Sequence, residues 1–118
     1  MHEFSIAEAL VKAVAEELAK LEPQPGRLKR VRVVIGDMRQ VVPDTLAFAY
    51  ETLVKDTPAT GSVLEIQPQP ITARCRDCSW AGKIEGHVFC CKECDSANVE
   101  ILTGKELYLS NLEFDENE

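Results

Sequence analysis

Cys75-Arg76-Asp77-Cys78 and Cys91-Lys92-Glu93-Cys94 stand twelve residues apart. Each Cys-x-x-Cys places two thiolates on one side of a tight turn, and the pair together offers the four soft ligands of a closed tetrahedral site. Such a set suits zinc; iron in a rubredoxin-like centre uses the same ligands, and spacing leaves that alternative open. Cys90 is a fifth thiol beside the second pair. Cys91 fits the two-residue spacing and Cys90 breaks it, so Cys75, Cys78, Cys91 and Cys94 are expected as ligands and Cys90 as a small, partly buried thiol beside Phe89. His87 is expected on the surface, since four thiolates already complete a tetrahedron. A redox dithiol normally opens a helix in a strand-helix unit, which neither pair does here. A closed site of this kind is structural, and it occurs in proteins of many functions.

The second group able to do chemistry is Met1-His2-Glu3. A free α-amine, the backbone amides that follow and the His2 imidazole can close adjacent five- and six-membered chelate rings, and an all-nitrogen square-planar set suits Ni(II) or Cu(II). The bulk of His2 favours retention of Met1, which keeps the amine in place. On its own such a terminus is more often an ordinary frayed end.

These groups need elements to hold them. Ser5 and Glu8 fit a capping box, and Ile6, Leu10, Val14, Leu18 and Leu21 recur at helical spacing, so a helix is predicted over about residues 6–20. Pro23, Pro25 and Gly26 end it. Val31, Val33 and Ile35 alternate with Arg30 and Arg32 in a half-buried strand that stops at Gly36. Pro43 and Asp44 suit the first turn of a second helix, with Leu46, Tyr50, Leu53 and Val54 on one face. A strand over about 62–67 follows. Pro68 and Pro70 bound the cysteine segment on one side and Thr103-Gly104 on the other, before an alternating run from Leu107 to Leu112. The expected fold is α+β: two helices packed on a small, mostly antiparallel sheet, with an inserted four-cysteine zinc-ribbon module. The expected division is residues 1–71, completed by 105–118, around an insert at 72–104.

Composition bounds the function. The chain has 118 residues, 45% of them apolar and 28% charged, which suits one small globular protein rather than a disordered one. Its longest charge-free stretch is about eight residues, against the ~18 a membrane helix needs, so no membrane contact is expected. Five cysteines confined to residues 75–94 point to a reducing compartment, and the cytoplasm is expected. The net charge is −7. Arg27, Lys29, Arg30, Arg32 and Arg39 against Asp37 nevertheless make residues 27–39 net +4. The alternative is a zinc-ribbon nucleic-acid or protein-interaction module without nickel function, and its nucleic-acid form would need such a basic face. The solvated side of a strand accounts for the same residues, so no nucleic-acid partner is expected. No Ser/His/Asp or Cys/His arrangement and no phosphate loop is present, and a four-thiolate zinc keeps no open position for water; an enzyme is not expected.

Taken together, Met1-His2-Glu3, the helix with Ser5 and Glu8, Val33-Val34-Ile35-Gly36-Asp37, Val41-Val42-Pro43, Phe48 and Tyr50 in the second helix, and the four cysteines in order resemble the HypA/HybF nickel metallochaperones. The resemblance spans essentially the whole chain. It implies that His2 binds nickel with Glu3 as its supporting neighbour, to which the chelate argument adds the Met1 amine. By the same likeness Cys75, Cys78, Cys91 and Cys94 hold zinc, residues 1–71 with 105–118 form the nickel-binding domain, and 72–104 form the zinc-binding one. It further implies delivery of nickel to the large subunit of [NiFe]-hydrogenase with a HypB-type GTPase, in some organisms supply of urease through its accessory proteins, and a monomeric or homodimeric state. Some members carry a histidine beside each cysteine pair, where this chain has Ser79 and Asp95. Asp37 and Asp44 do not align with the acidic residue that other members place near nickel, and both are left outside the site.

Overall fold

A computed structural model describes residues 2–115. In chain order the elements are α1 (His2–Ala19), β1 (Leu28–Gly36), a short 3-10 turn (Asp37–Arg39), α2 (Pro43–Leu53), β2 (Val63–Gln69), β3 (Thr72–Cys75), β4 (Ala81–Lys83), β5 (Val99–Thr103) and β6 (Leu107–Phe114). They divide into two compact units, residues 1–34, 41–67 and 108–118 in one, 35–40 and 68–107 in the other.

The first unit pairs α1 with α2 and carries a three-stranded sheet of order β2-β1-β6. Its core is built from the apolar positions of each element: Ala7, Leu10, Val14 and Leu18 from α1, Leu46, Ala49 and Tyr50 from α2, and Leu28, Val31, Val33 and Leu64 from the sheet. Burying these side chains removes apolar surface from water and is the main force holding the unit. Tyr50 lies fully inside, which requires a partner for its hydroxyl, and Ser62 Oγ meets it at 2.7 Å. Along β6 the chain runs back past β1, so that Asp115 lies opposite Arg27 and Ser110 opposite Arg32.

Helix α1 begins four residues before the predicted start. Ser5 therefore lies inside the helix on its exposed side, and the capping box does not form. The buried stripe continues backward through Ala7 to Glu3, whose carboxylate finds a tertiary partner, and that contact fixes the first turn. At the other end Leu21 lies beyond the helix and is exposed. Strand β2 also runs past Pro68, the predicted boundary. It is an edge strand, where a residue without an N–H costs no ladder bond.

The second unit holds a sheet of order β4-β3-β5, both pairings antiparallel, with Cys75 opposite Val99 at the end of β3. Ile71, Ala73 and Ile84 form its small core, flanked by Met38, Trp80, Phe89, Val99 and Ile101. Gly36 and Gly104 meet here. Met38 N–H donates to Gly104 O at 2.9 Å, and a Cβ on Gly36 would stand 2.0 Å from that oxygen.

Candidate metal centres

Strand β3 delivers Cys75 at its last residue, and the Cys75 N–H donates to Trp80 O at 2.9 Å, folding the intervening residues into a knuckle that presents Cys78. The second knuckle is closed by Asp95 N–H donating to Cys91 O at 2.9 Å, with Asp95 at a φ of 61°. The two turns bring Cys75, Cys78, Cys91 and Cys94 together, every ligand atom within 4.8 Å of the others. Cys75 Sγ lies 3.7 Å from Cys94 Sγ, and Cys78 Sγ lies 3.5 Å from Cys91 Sγ. Zn–S bonds of ~2.3 Å in a regular tetrahedron put sulfurs about 3.8 Å apart, so this donor set fits zinc. Cys90 and His87 are outside the cluster. His87 instead meets Gln40 Nε2 at 3.3 Å and sets its ring edge-on to Phe89.

Backbone donors aim at the sulfurs. Asp77 N–H reaches Cys75 Sγ at 3.3 Å, Trp80 N–H reaches Cys78 Sγ at 3.4 Å, and the N–H groups of Glu93 and Cys94 both reach Cys91 Sγ at 3.3 Å. Hydrogen bonds of this kind favour thiolate over thiol. At Cys91 desolvation pushes upward, but the Cys94 and Glu93 amides outweigh it and bring the thiol down to about 7. The Ser96 amide favours the Cys94 thiolate, yet proximity to Cys91 and burial push that thiol up to about 12. A divalent ion would take all four as thiolates.

At the start of α1, the His2 side chain is 55% exposed and its Nε2 lies 3.3 Å from Glu3 Oε2. Glu3 is turned inward, 10% exposed, and the same Oε2 accepts the Val42 N–H at 3.1 Å. Val42 is the residue before α2 and has no side-chain cap of its own. Glu3 thus supplies from α1 the bond to the cap residue's N–H that a capping box supplies locally. The Val42 N–H holds the Glu3 carboxyl below its usual range, with the nearby His2 acting in the same direction. The Met1 amine lies outside the described residues.

The basic stretch of β1 is already paired. Arg30 Nη1 meets Glu113 at 2.6 Å and its Nε meets Glu65 at 3.3 Å; Arg32 Nε meets Glu65 at 2.9 Å; Arg27 meets Asp115 at 2.7 Å and Lys29 meets Glu113 at 3.8 Å. Arg39 Nε donates to the Lys105 and Glu106 carbonyls. The Arg32 guanidinium holds the Glu65 carboxyl below its ordinary value. What reads as a +4 segment along the chain is in space largely ion-paired, with Glu65, Glu113 and Asp115 answering four of its five cations.

Sequence spacing pointed to Cys75, Cys78, Cys91, Cys94 and His2, and the family resemblance to Glu3. It missed Val42, the partner of Glu3, and the residues that tie one knuckle to the other, Asp77, Ser96 and Asn98. These contacts join positions 19 to 39 residues apart, and no periodicity announces them.

A four-thiolate site in one unit and, in the other, a helix with a histidine at its first turn are the features of a small metal-handling protein. Residues 1–114 match the family described as hydrogenase/urease nickel incorporation, metallochaperone, hypA, and the chain belongs to that family. The hydrogenase maturation factor HypA of Dehalococcoides mccartyi (strain CBDB1) is 36% identical over 117 residues, covering 98% of this chain and 96% of that protein. The factor of the same name from Desulfosudis oleivorans is 33% identical over 116 residues, 98% of this chain and all of its own. Among solved structures, the solution structure of the Ni metallochaperone HypA from Helicobacter pylori superposes with a TM-score of 0.67 at 27% identity, covering 98% of each chain. No helix among the described residues is long and apolar enough to cross a membrane.

Proposed function

We propose that this chain is a cytoplasmic nickel carrier that binds Ni(II) at its N-terminus and hands it to the large subunit of a [NiFe]-hydrogenase in concert with a HypB-type GTPase. Where the host makes urease, the same hand-over serves the accessory proteins of that enzyme. The observation that carries the reading is the exposed His2 imidazole on the first residue of α1. The leading N–H groups of a helix have no main-chain acceptor within it; the Glu3 N–H turns instead to its own carboxylate, and the His2 and Glu3 amides can lose their protons to a metal without breaking the helical ladder. With the Met1 amine and the His2 imidazole they supply four nitrogens.

Electrostatics support the same reading. A helix N-terminus disfavours a bare dication, but amide deprotonation and the Glu3 carboxylate place negative charge beside it. Glu3 serves here as a supporting group: it faces His2 while its side chain is held by Val42. Nickel uptake therefore releases protons and weakens in acid. An exposed site with exchangeable ligands suits a cargo that must leave again. The Cys75, Cys78, Cys91 and Cys94 set holds zinc, which when bound cross-links two turns whose own core is only a few side chains. Residues 1–71 with 105–118 act as the nickel-handling domain and 72–104 as the zinc domain, which serves partner docking. Neither site is catalytic.

Native mass spectrometry with metal analysis tests the pairing of sites. The untagged chain is expected to carry one zinc as purified and to gain one nickel on titration, with His2→Ala losing only the nickel. Nickel uptake that requires the cysteines and ignores His2 would overturn the reading.

A further inference from the structure

Asp77 lies in the first knuckle, between Cys75 and Cys78, yet its side chain reaches the segment that follows the second. Its Oδ2 accepts Ser96 Oγ–H at 2.5 Å and its Oδ1 accepts Asn98 Nδ2 at 3.1 Å. The grip is continued by backbone. Ser96 O accepts the Cys91 N–H at 2.8 Å, Ser96 Oγ accepts the Asn98 N–H at 3.0 Å, and Asn98 O accepts the Arg76 N–H at 2.9 Å. Asp77 also donates its own N–H to Cys75 Sγ at 3.3 Å. One residue therefore touches a sulfur of the first knuckle and holds, through Ser96, the backbone of a ligand from the second.

We propose that Asp77 is a positioning residue for the four-thiolate site, clamping the two knuckles together so that the metal is held tightly and released slowly. The inference rests on the zinc reading above and adds the part of the chain that controls it. Cys75 and Cys91 are buried, whereas Cys78 and Cys94 are exposed, so an ion leaves by the knuckles parting on the exposed side. Pairing of β3 with β5 fixes Cys75 against Val99 but ends there. Beyond that register the Asp77 carboxylate is the side chain that spans from one knuckle to the other, and groups that orient metal ligands from outside are typically worth about 10–100-fold in metal affinity.

The test is competition for zinc by a chromophoric chelator, reading affinity and release rate on the full-length chain and its variants. Asp77→Ala is expected to bind zinc about 10–100-fold more weakly and to release it correspondingly faster. Asp77→Asn, which keeps the shape and an oxygen for Asn98, should recover most of that loss. Ser96→Ala removes the bond to Asp77 Oδ2 and the one accepted from the Asn98 N–H but leaves Asp77 bonded to Asn98, and it should weaken binding in the same direction, which keeps the test valid if Asp77→Ala misfolds. Arg74→Ala is the comparison: it deletes the cross-strand ion pair with Glu100 in the same sheet without touching either knuckle. An exposed pair is worth ~0–1 kcal/mol, so its effect should stay within about fivefold. Zinc held by Asp77→Ala as firmly as by the wild type, or an equal loss in Arg74→Ala, would overturn the clamp. A wild-type chain without zinc would overturn the zinc reading itself, and the clamp with it.

Discussion

Cys90 and Cys91 are neighbours in sequence, but only the second turns its sulfur into the cluster, where it receives two backbone N–H donors. That outcome was legible in advance because a Cys-x-x-Cys turn is local, and its spacing alone decides which thiols converge. Cys75→Ala or Cys91→Ala should therefore abolish bound zinc, and Cys90→Ala should keep it at one per chain. Zinc lost from Cys90→Ala and retained in Cys91→Ala would reverse the assignment. Glu3 is the opposite case. Its place next to His2 was readable, but its bond to Val42 joins residues 39 apart. Because its carboxyl titrates below the usual value of 4.5 in the folded chain, its contribution is complete above that pH. The contribution is lost as pH falls toward the lowered value, since the unfolded state then binds the proton first. Urea midpoints between about pH 3 and pH 6 should fall more steeply for the wild type than for Glu3→Gln, which has no proton to gain. Equal slopes would show that Glu3 does not hold the two helices in the way its geometry indicates.

The elements were largely readable from periodicity, and where their limits moved the cause was tertiary. Helix α1 starts at His2 because Glu3 lies on the buried stripe and caps α2, whereas Ser5 and Glu8 form a local cap only in sequence. Residues 37–39 make a 3-10 turn, which no repeat in the chain announces, and the backbone there is fixed by Gly36 N–H donating to Glu106 O at 2.8 Å and Met38 N–H to Gly104 O. The sequence shows a glycine at the end of β1 but not what approaches it. A methyl group at Gly36 would collide with the Gly104 backbone, and Gly104 itself has a φ of 124°, so neither strand can simply give way. Gly36→Ala should lower stability by at least about 3 kcal/mol, the upper end for an overpacked site. A thermal midpoint shift of less than about 3 °C, which corresponds to about 0.7 kcal/mol for a chain of this size, would contradict that packing.

At the scale of the molecule, the uneven charge along the chain resolves into paired groups on the sheet, with Glu65, Glu113 and Asp115 answering Lys29, Arg30, Arg32 and Arg27. Sequence counting cannot see that pairing, because the acidic partners come from β2 and from the end of the chain. The two units depend on metal differently. Removing zinc with a strong chelator should unfold the cysteine unit, whose core is small, while the helical far-UV signal of α1 and α2 persists. Loss of both together would mean that the first unit cannot stand without the second. The central claim is that nickel is held by the chain terminus through His2. It is tested most directly by calorimetric nickel titration, with absorption in the d-d region, on three forms: untagged, extended by residues before Met1, and His2→Ala. Specific nickel binding in the untagged form alone, with zinc content unchanged in all three, is the predicted result. Unaltered nickel affinity in His2→Ala would contradict the account and place the site elsewhere.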